Sequence, residues 1–213
     1  MKIKTFQFNP LGVNTYVLSD ENGKSVIIDP SCFYHDEKVL LLNYILDNNL
    51  KIIHLLNTHL HFDHIFGNNF IHEQFDLLPE ANKDDKHLIM MFAEQLQQFG
   101  FLNYSESTPE IGKYLNENDI VSFGKISLKV ISIPGHSPGS LVFYNEESGC
   151  AFVGDVLFRG GIGRTDLEGG NHDQLIQGIK TKLYTLPNDT VIYPGHGPQT
   201  TIGEEKKYNP FLY

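Results

Sequence analysis

Within Thr58-His59-Leu60-His61-Phe62-Asp63-His64, three histidines and an aspartate fall inside six residues. Imidazole nitrogens and carboxylate oxygens are common ligands of first-row divalent metals. Three more candidates stand far down the chain: His136 within Pro134-Gly135-His136-Ser137-Pro138-Gly139-Ser140, Asp155 after Gly154, and His196 within Pro194-Gly195-His196-Gly197-Pro198. Each follows an apolar run and is flanked by glycine or proline, as where a strand gives way to a loop. A lone histidine beside a turn is ordinarily a cap or a solvated side chain. Seven such groups gathered at strand ends call for a metal site. One tetrahedral zinc accepts about four ligands including water. Two adjacent ions sharing Asp155, with a water between them, use all seven residues. Such a pair lowers the pKa of the shared water and makes a nucleophile at neutral pH. The set contains no cysteine, which argues against a structural zinc knuckle. Zinc is the first expectation for an all-His/Asp shell, with iron or manganese as alternatives. His35, His54, His72, His87 and His172 lack this setting and receive no role.

The elements that must position these groups follow from periodicity. Lys2 to Phe8, Thr15 to Ser19 and Ser25 to Ile28 read as strands, the last two joined through Asn22-Gly23, a hairpin signal. Asp36 to Leu46 has helical spacing, and Ile52 to Leu56 is a buried strand leading into the cluster. Phe66 to Phe75 reads as a short helix, and Pro79 to about Gln98 as a longer one that Gly100 ends. Strands over 120–123 and 126–133 precede the loop at 134–140. Leu141 to Tyr144 and Cys150 to Val153 form a hairpin. A glycine-rich loop over 159–170 leads to a helix over 172–186, then a strand over 190–193. Two strand-rich halves of similar make-up predict two mixed sheets packed together with helices outside, a four-layer αββα sandwich. No composition shift marks a linker, so residues 1–213 are read as a single domain.

Sixteen basic against 26 acidic residues leave a formal charge of −10, which disfavours nucleic acid or an anionic membrane as partner. No apolar run reaches the roughly 18 residues of a spanning helix, and no secretory signal opens the chain. Cys32 and Cys150 do not make a disulfide framework. They read as small buried apolar residues, and a reducing cytoplasm is the simplest location.

The cluster matches the His-x-His-x-Asp-His motif, and the chain resembles the metallo-beta-lactamase superfamily. Within it, the likeness is to short glyoxalase II-like hydrolases. It runs from Gly12-Val13-Asn14-Thr15-Tyr16 through Gly163-Arg164-Thr165-Asp166 to Asn209-Pro210-Phe211. The resemblance implies the αββα fold and places His59, His61 and His136 on one metal, Asp63, His64 and His196 on the other, with Asp155 bridging. It also implies hydrolysis of a thioester such as S-lactoylglutathione. Longer glyoxalase II enzymes carry a C-terminal helical domain, which a chain ending at Tyr213 is expected to lack. Where they tend to place a basic residue and, two positions on, an aromatic near the tripeptide, this chain has Arg164 and Asp166. Arg164 is the candidate substrate contact. Its plain alternative is an ion pair with Asp166.

The expected reaction is attack of the shared water on a thioester carbonyl, with Asp63 orienting that water or accepting its proton. A thiolate leaves without a separate strong acid, because thiols have a pKa of about 8.5. Persulfide dioxygenases share the Gly-Arg-Thr-Asp run and hold a single iron, whose ligands would match His59, His136 and Asp155. A lactonase-type hydrolase and a non-catalytic metal-binding module are further alternatives. Two supporting roles are expected. Asp29 would hydrogen-bond a ligand histidine and fix its tautomer. Residues 79–118 would form a lid with Phe92, Phe99, Phe101 and Tyr104 lining a pocket, against the plainer reading of that stripe as core.

Overall fold

The first three strands are Lys2–Phe8 (β1), Val13–Ser19 (β2) and Lys24–Ile28 (β3), paired antiparallel in sequence order. Asp20 sets the second turn by accepting from the Asn22 and Lys24 amides. Helix His35–Asp47 (α1) buries Leu41 and Ile45 and returns the chain to Lys51–Leu56 (β4), which lies parallel to β3. Helix Asn68–Phe75 (α2) follows the histidine cluster. Strand Pro79–Ala81 (β5), the short helices Lys86–Met90 (α3) and Phe92–Gln98 (α4), and strand Lys113–Tyr114 (β6) complete the first half. The second half runs Ile120–Phe123 (β7), Ile126–Ser132 (β8), Leu141–Asn145 (β9) and Cys150–Gly154 (β10). A small ribbon of Leu157–Phe158 (β11) and Gly161–Ile162 (β12) comes next. Helix His172–Thr181 (α5), strands Val191–Pro194 (β13) and Thr200–Thr201 (β14), and helix Ile202–Tyr208 (α6) finish the chain. This computed structural model describes residues 1–102 and 104–213.

Two mixed six-stranded sheets result, ordered β1-β2-β3-β4-β5-β6 and β14-β13-β10-β9-β8-β7. Between them lies a core in which Leu18, Val26 and Ile28 meet Leu128, Phe143 and Phe152, all fully buried. Burying each such side chain contributes roughly 1.5–3 kcal/mol. Outside the first sheet, Val17, Ile27 and Leu55 pack on Leu41 and Ile45 of α1 and Ile71 of α2. Outside the second, Val142, Ala151 and Ile192 pack on Leu175 and Ile179 of α5 and Ile202 of α6. The layers are helix, sheet, sheet, helix, as the patterning predicts. Cys32 and Cys150 are free and buried. Among the described residues, no helix is long and apolar enough to cross a membrane.

Several local expectations need correction. Pro79 opens a strand, not a helix: Leu55 and Leu56 of β4 pair with Pro79 and Glu80. The helical part of 79–98 is confined to α3 and α4, which meet at Met91, where ψ is 5°. The predicted helix over 172–186 ends at Thr181 and is followed by a single 3-10 turn over 183–185. The glycine-rich loop contains the β11–β12 ribbon, and β14 and α6 extend past the last predicted strand. In the proposed lid, 79–118, the aromatic stripe is mainly core packing. Phe92, Phe101 and Tyr104 pack around Leu60, Phe62 and Phe66: Phe33 from the β3–α1 connection offers an aromatic face to Phe101 and Tyr104, and Phe92 meets Phe66 and Tyr104. Phe99 lines the cavity beside His61. Residue 103 lies outside the described residues.

Candidate metal centre

Strand β4 delivers the cluster to the edge between the sheets, and a 3-10 turn at Phe62–His64 folds it back on itself. This brings His59 and His61 beside His136, and Asp63 and His64 beside His196. In each trio the ligand atoms lie within 4.8 Å of one another. Asp155, just past β10, stands between the trios. Its Oδ2 is 3.7 Å from His136 Nε2 and 3.5 Å from His196 Nε2, and its Oδ1 is 3.4 Å from His64 Nε2. Asp63 Oδ2 is 3.4 Å from His196 Nε2. The seven predicted residues therefore form one cluster. His35, His54, His72, His87 and His172 belong to none of the ligand groups among the described residues.

The outward ring nitrogens reveal what the inward ones can do. His136 Nδ1 sits 2.8 Å from the Arg164 carbonyl, which can only accept, so Nδ1 carries the proton and Nε2 a lone pair. The Thr58 hydroxyl donates to Asp29 Oδ2 at 2.6 Å and so accepts from His59 Nδ1 at 3.1 Å, leaving a lone pair on His59 Nε2. These two lone pairs face each other at 3.2 Å, with His61 Nδ1 2.9 Å from His136 Nε2. A shared cation, not a mutual hydrogen bond, satisfies such a trio. On the other side, His64 Nδ1 donates to Asp29 Oδ2 at 3.0 Å and His196 Nδ1 donates to the Leu11 carbonyl at 3.1 Å. Both point Nε2 inward. His64 Nε2 and Asp155 Oδ1 are buried and have no hydrogen-bond partner. Buried polar atoms without partners are costly, and a cation between them removes the cost.

The electrostatics agree. Burial, helped by the neighbouring imidazoles, keeps His59 neutral far into the acid range and brings His61 down to about 3. Burial alone would raise Asp63 and Asp155, but His64 and His196 outweigh it and hold both carboxylates ionised. Burial alone would lower His64, yet Asp155 and Asp63 raise it well above the ordinary histidine range. Imidazoles around ionised carboxylates are the donor set that a divalent ion requires.

Asp29 is the hub of this support, as expected for a residue fixing a ligand tautomer. It accepts from the Thr58 amide, the Thr58 hydroxyl and His64, and its own φ of 49° is a left-handed conformation held at a functional site. Gly195 is required by close approach: a Cβ there would lie 2.2 Å from Asp155 Oδ1 and 2.7 Å from His64 Cε1.

Three supporting features escape sequence reasoning. Asp85 is fully buried and accepts from the Leu60 amide, the Ser137 hydroxyl and the Gly139 amide, tying the cluster loop to the His136 loop. Asn14 and Tyr16 donate to the Pro194 carbonyl, and Asn14 also to that of Gly197, fixing the His196 loop. Arg164 matters through its backbone carbonyl. Its exposed guanidinium makes a two-pronged pair with Asp166, at 2.7 and 2.8 Å, so the side chain is engaged within its own loop. His61 also opens onto a cavity of about 240 Å³ walled by α3, α4 and residues 166–168.

The fold and these histidine-rich groups imply divalent metal ions. Residues 8–196 match the family model described as the metallo-beta-lactamase superfamily. Hydroxyacylglutathione hydrolase GloC of Haemophilus influenzae is 37% identical over 214 residues, covering 100% of this chain and 98% of that protein. The structure of the BLEG-1 B3 metallo-beta-lactamase superposes with a TM-score of 0.89 at 32% identity, covering 99% of each chain. That of TTHA1623 in a di-iron-bound form gives 0.85 at 35% identity, covering 98% of this chain and 100% of the other. ETHE1 from Myxococcus xanthus gives 0.79 at 27% identity, over 100% of this chain and 84% of its own. Motif, sandwich, converging ligand groups and full-length similarity lead to one assignment: this chain belongs to the metallo-beta-lactamase superfamily, as a glyoxalase II-like metallo-hydrolase.

Proposed function

We propose that the protein hydrolyses acyl-thioesters at a two-metal centre. His59, His61 and His136 hold one ion, Asp63, His64 and His196 the other, and Asp155 serves both. The observation that carries this reading is the placement of Asp155 within 3.4–3.7 Å of ring nitrogens from both trios. When bound, a pair of divalent ions supplies a water acidic enough to ionise near neutrality and positive charge for a developing oxyanion. The chain's own contributions follow from its geometry. Asp29, Thr58 and the Leu11 and Arg164 carbonyls lock the imidazole tautomers, so no reorientation is needed during turnover. Asp63, kept ionised by His64 and His196, would accept a hydrogen bond from the attacking water and so orient it. The low pKa of a thiol lets the leaving group depart as thiolate, which fits a site whose histidines are all committed as ligands. The similarity to GloC supports a thioester such as S-lactoylglutathione, and zinc is the first candidate metal. Metal quantification on protein loaded with zinc or iron, alongside an acyl-thioester panel, tests this. Two ions per chain with thioester turnover are expected; two ions with no thioester hydrolysed refute it.

The similarity to ETHE1, together with Gly163-Arg164-Thr165-Asp166, favours one second reading, a persulfide dioxygenase with a single iron held by His59, His136 and Asp155. One iron per chain with thiol-dependent oxygen uptake would establish it instead.

A further inference from the structure

One buried carboxylate near the centre takes no part in ligation. Glu205, on α6, is 3% exposed. Three neutral donors satisfy it: the Gly160 amide at 2.9 Å and the Asn209 side-chain amide at 2.8 Å share Oε2, and the Thr200 hydroxyl donates to Oε1. Asn209 also donates to the Gly161 carbonyl at 3.0 Å. Burying a carboxylate is costly even when it is hydrogen-bonded, so what Glu205 joins is informative.

Gly160 is the tip of the β11–β12 ribbon, in a left-handed conformation with φ of 70°. The ribbon leaves from Asp155 and returns beside it. A Cβ at Gly163 would lie 1.8 Å from the Asp155 carbonyl oxygen and 3.1 Å from His136 Nδ1. The next residue, Arg164, supplies the carbonyl that fixes the His136 tautomer. Along β11, Leu157 packs into the core with Leu175 and Ile202, while the Phe158 ring lies 6.3 Å from that of His196. On the other arm of Glu205, Thr200 of β14 pairs with Ile192 of β13, the strand that leads to His196. The ribbon has only two residue pairs, Leu157 with Ile162 and Phe158 with Gly161, too few to be stable alone. Its position depends on what holds its tip.

We propose that Glu205 is a positioning residue of the metal centre. By clamping the ribbon tip to β14, it holds Asp155, the Arg164 carbonyl and His196 at one spacing. The inference rests on the two-ion reading for what is held and is independent of thioester chemistry, since it applies whichever bond the centre breaks.

The test uses cobalt(II)-loaded protein, whose visible spectrum reports ligand geometry. Wild type, Glu205→Ala, Glu205→Gln and Asn209→Ala are compared by spectrum, by metal affinity in chelator competition and by urea unfolding. Glutamine keeps the clamp: its oxygen takes the Gly160 and Asn209 amides, and its amide nitrogen donates to the Thr200 hydroxyl, which rotates to accept. Alanine is expected to weaken metal affinity about tenfold, the lower end for partners outside the ligand shell, and to shift the cobalt spectrum. Glutamine should stay within about twofold of wild type. Asn209→Ala, which keeps the Gly160 bond but frees the Gly161 carbonyl, should fall between. A folded alanine variant that loses only unfolding free energy, with spectrum and affinity unchanged, overturns the proposal, and so does a glutamine variant as impaired as alanine. Should the alanine variant not fold, Asn209→Ala decides: wild-type spectrum and affinity there overturn the proposal. One cobalt per wild-type chain would instead refute the two-ion reading, while the comparison among variants would still decide the role of Glu205.

Discussion

Asp85 offers the sharpest test of how the centre is held. It contacts no ligand side chain, yet its Oδ2 takes the Leu60 amide at 3.1 Å and the Ser137 hydroxyl at 2.8 Å, and its Oδ1 takes the Gly139 amide at 2.6 Å. Asp85→Ala leaves the buried Leu60 and Gly139 amides without a partner, each worth about 1–3 kcal/mol, while the Ser137 hydroxyl can turn to Ser140 Oγ at 2.8 Å. Burial holds this carboxyl above its usual range despite the three donors, so its own desolvation offsets part of that loss. A net cost of about 2–4 kcal/mol is expected for alanine. Asp85→Asn keeps one acceptor oxygen and turns an NH2 towards a donor, and the Ser137 hydroxyl can rotate to suit it, so about 1–2 kcal/mol is expected. Urea unfolding of the metal-loaded protein, with matched slopes, measures both. Metal quantification should also show Asp85→Ala losing the ion of the His59, His61 and His136 group first. An alanine variant with the wild-type midpoint, or an asparagine variant as damaged as alanine, would refute the donor count.

Asp29→Ala should weaken metal binding about 10- to 100-fold, because His64 loses its tautomer partner and Thr58 its acceptor; competition with a chromophoric chelator reads this directly. Gly195→Ala should fold but hold less metal, since its Cβ would stand 2.2 Å from Asp155 Oδ1; circular dichroism and metal content separate the two effects. Glu80 supplies a pH test away from the centre. Burial would raise its pKa, but contacts with His54 and with Lys113 at 2.9 Å outweigh this and depress it. Its stabilisation is therefore present above the ordinary glutamate range and lost as pH falls through the depressed folded value. Glu80→Gln should lower the unfolding free energy measured in urea at neutral pH by ~1 kcal/mol or less, because Lys113 is half-exposed and its share is screened. That difference should vanish in acid, and a deficit unchanged by pH would contradict the ion-pair account.

What could be read from the chain and what could not divide along the range of the interactions. The histidine cluster, the strand that carries it and the helices of the outer layers announce themselves in local spacing. Asp29 was legible because a strand end followed by proline is a local event. Pro79 was misread because a helix's first turn and a strand's first residue ask the same thing of a residue without an N–H. The deciding factor, pairing with Leu55 and Leu56, is not local. Asp85 looks like one more acid in Lys83-Asp84-Asp85-Lys86. Its burial is set by Ser137 and Gly139, 52 and 54 positions away. The Phe92, Phe101 and Tyr104 stripe has the right composition for a pocket, and Phe33 and Phe66, distant in sequence, make it core.

The seam where Leu11, Asn14 and Tyr16 grip the segment from Pro194 to Gly197 has a consequence in time. These bonds join residues 178 to 185 positions apart, among the longest closures the chain makes. Contacts of such separation form late, because their loop entropy is spent before they give any return. The second trio lacks His196 until that closure occurs, whereas His59, His61 and His64 come together within a single turn of chain. During synthesis, a nascent chain carrying the cluster but not yet residue 196 offers at most one complete trio. Completion of the second trio thus reports that the last strand has closed onto the first, a step later than the meeting of the sheets that already brings His136 to His59 and His61.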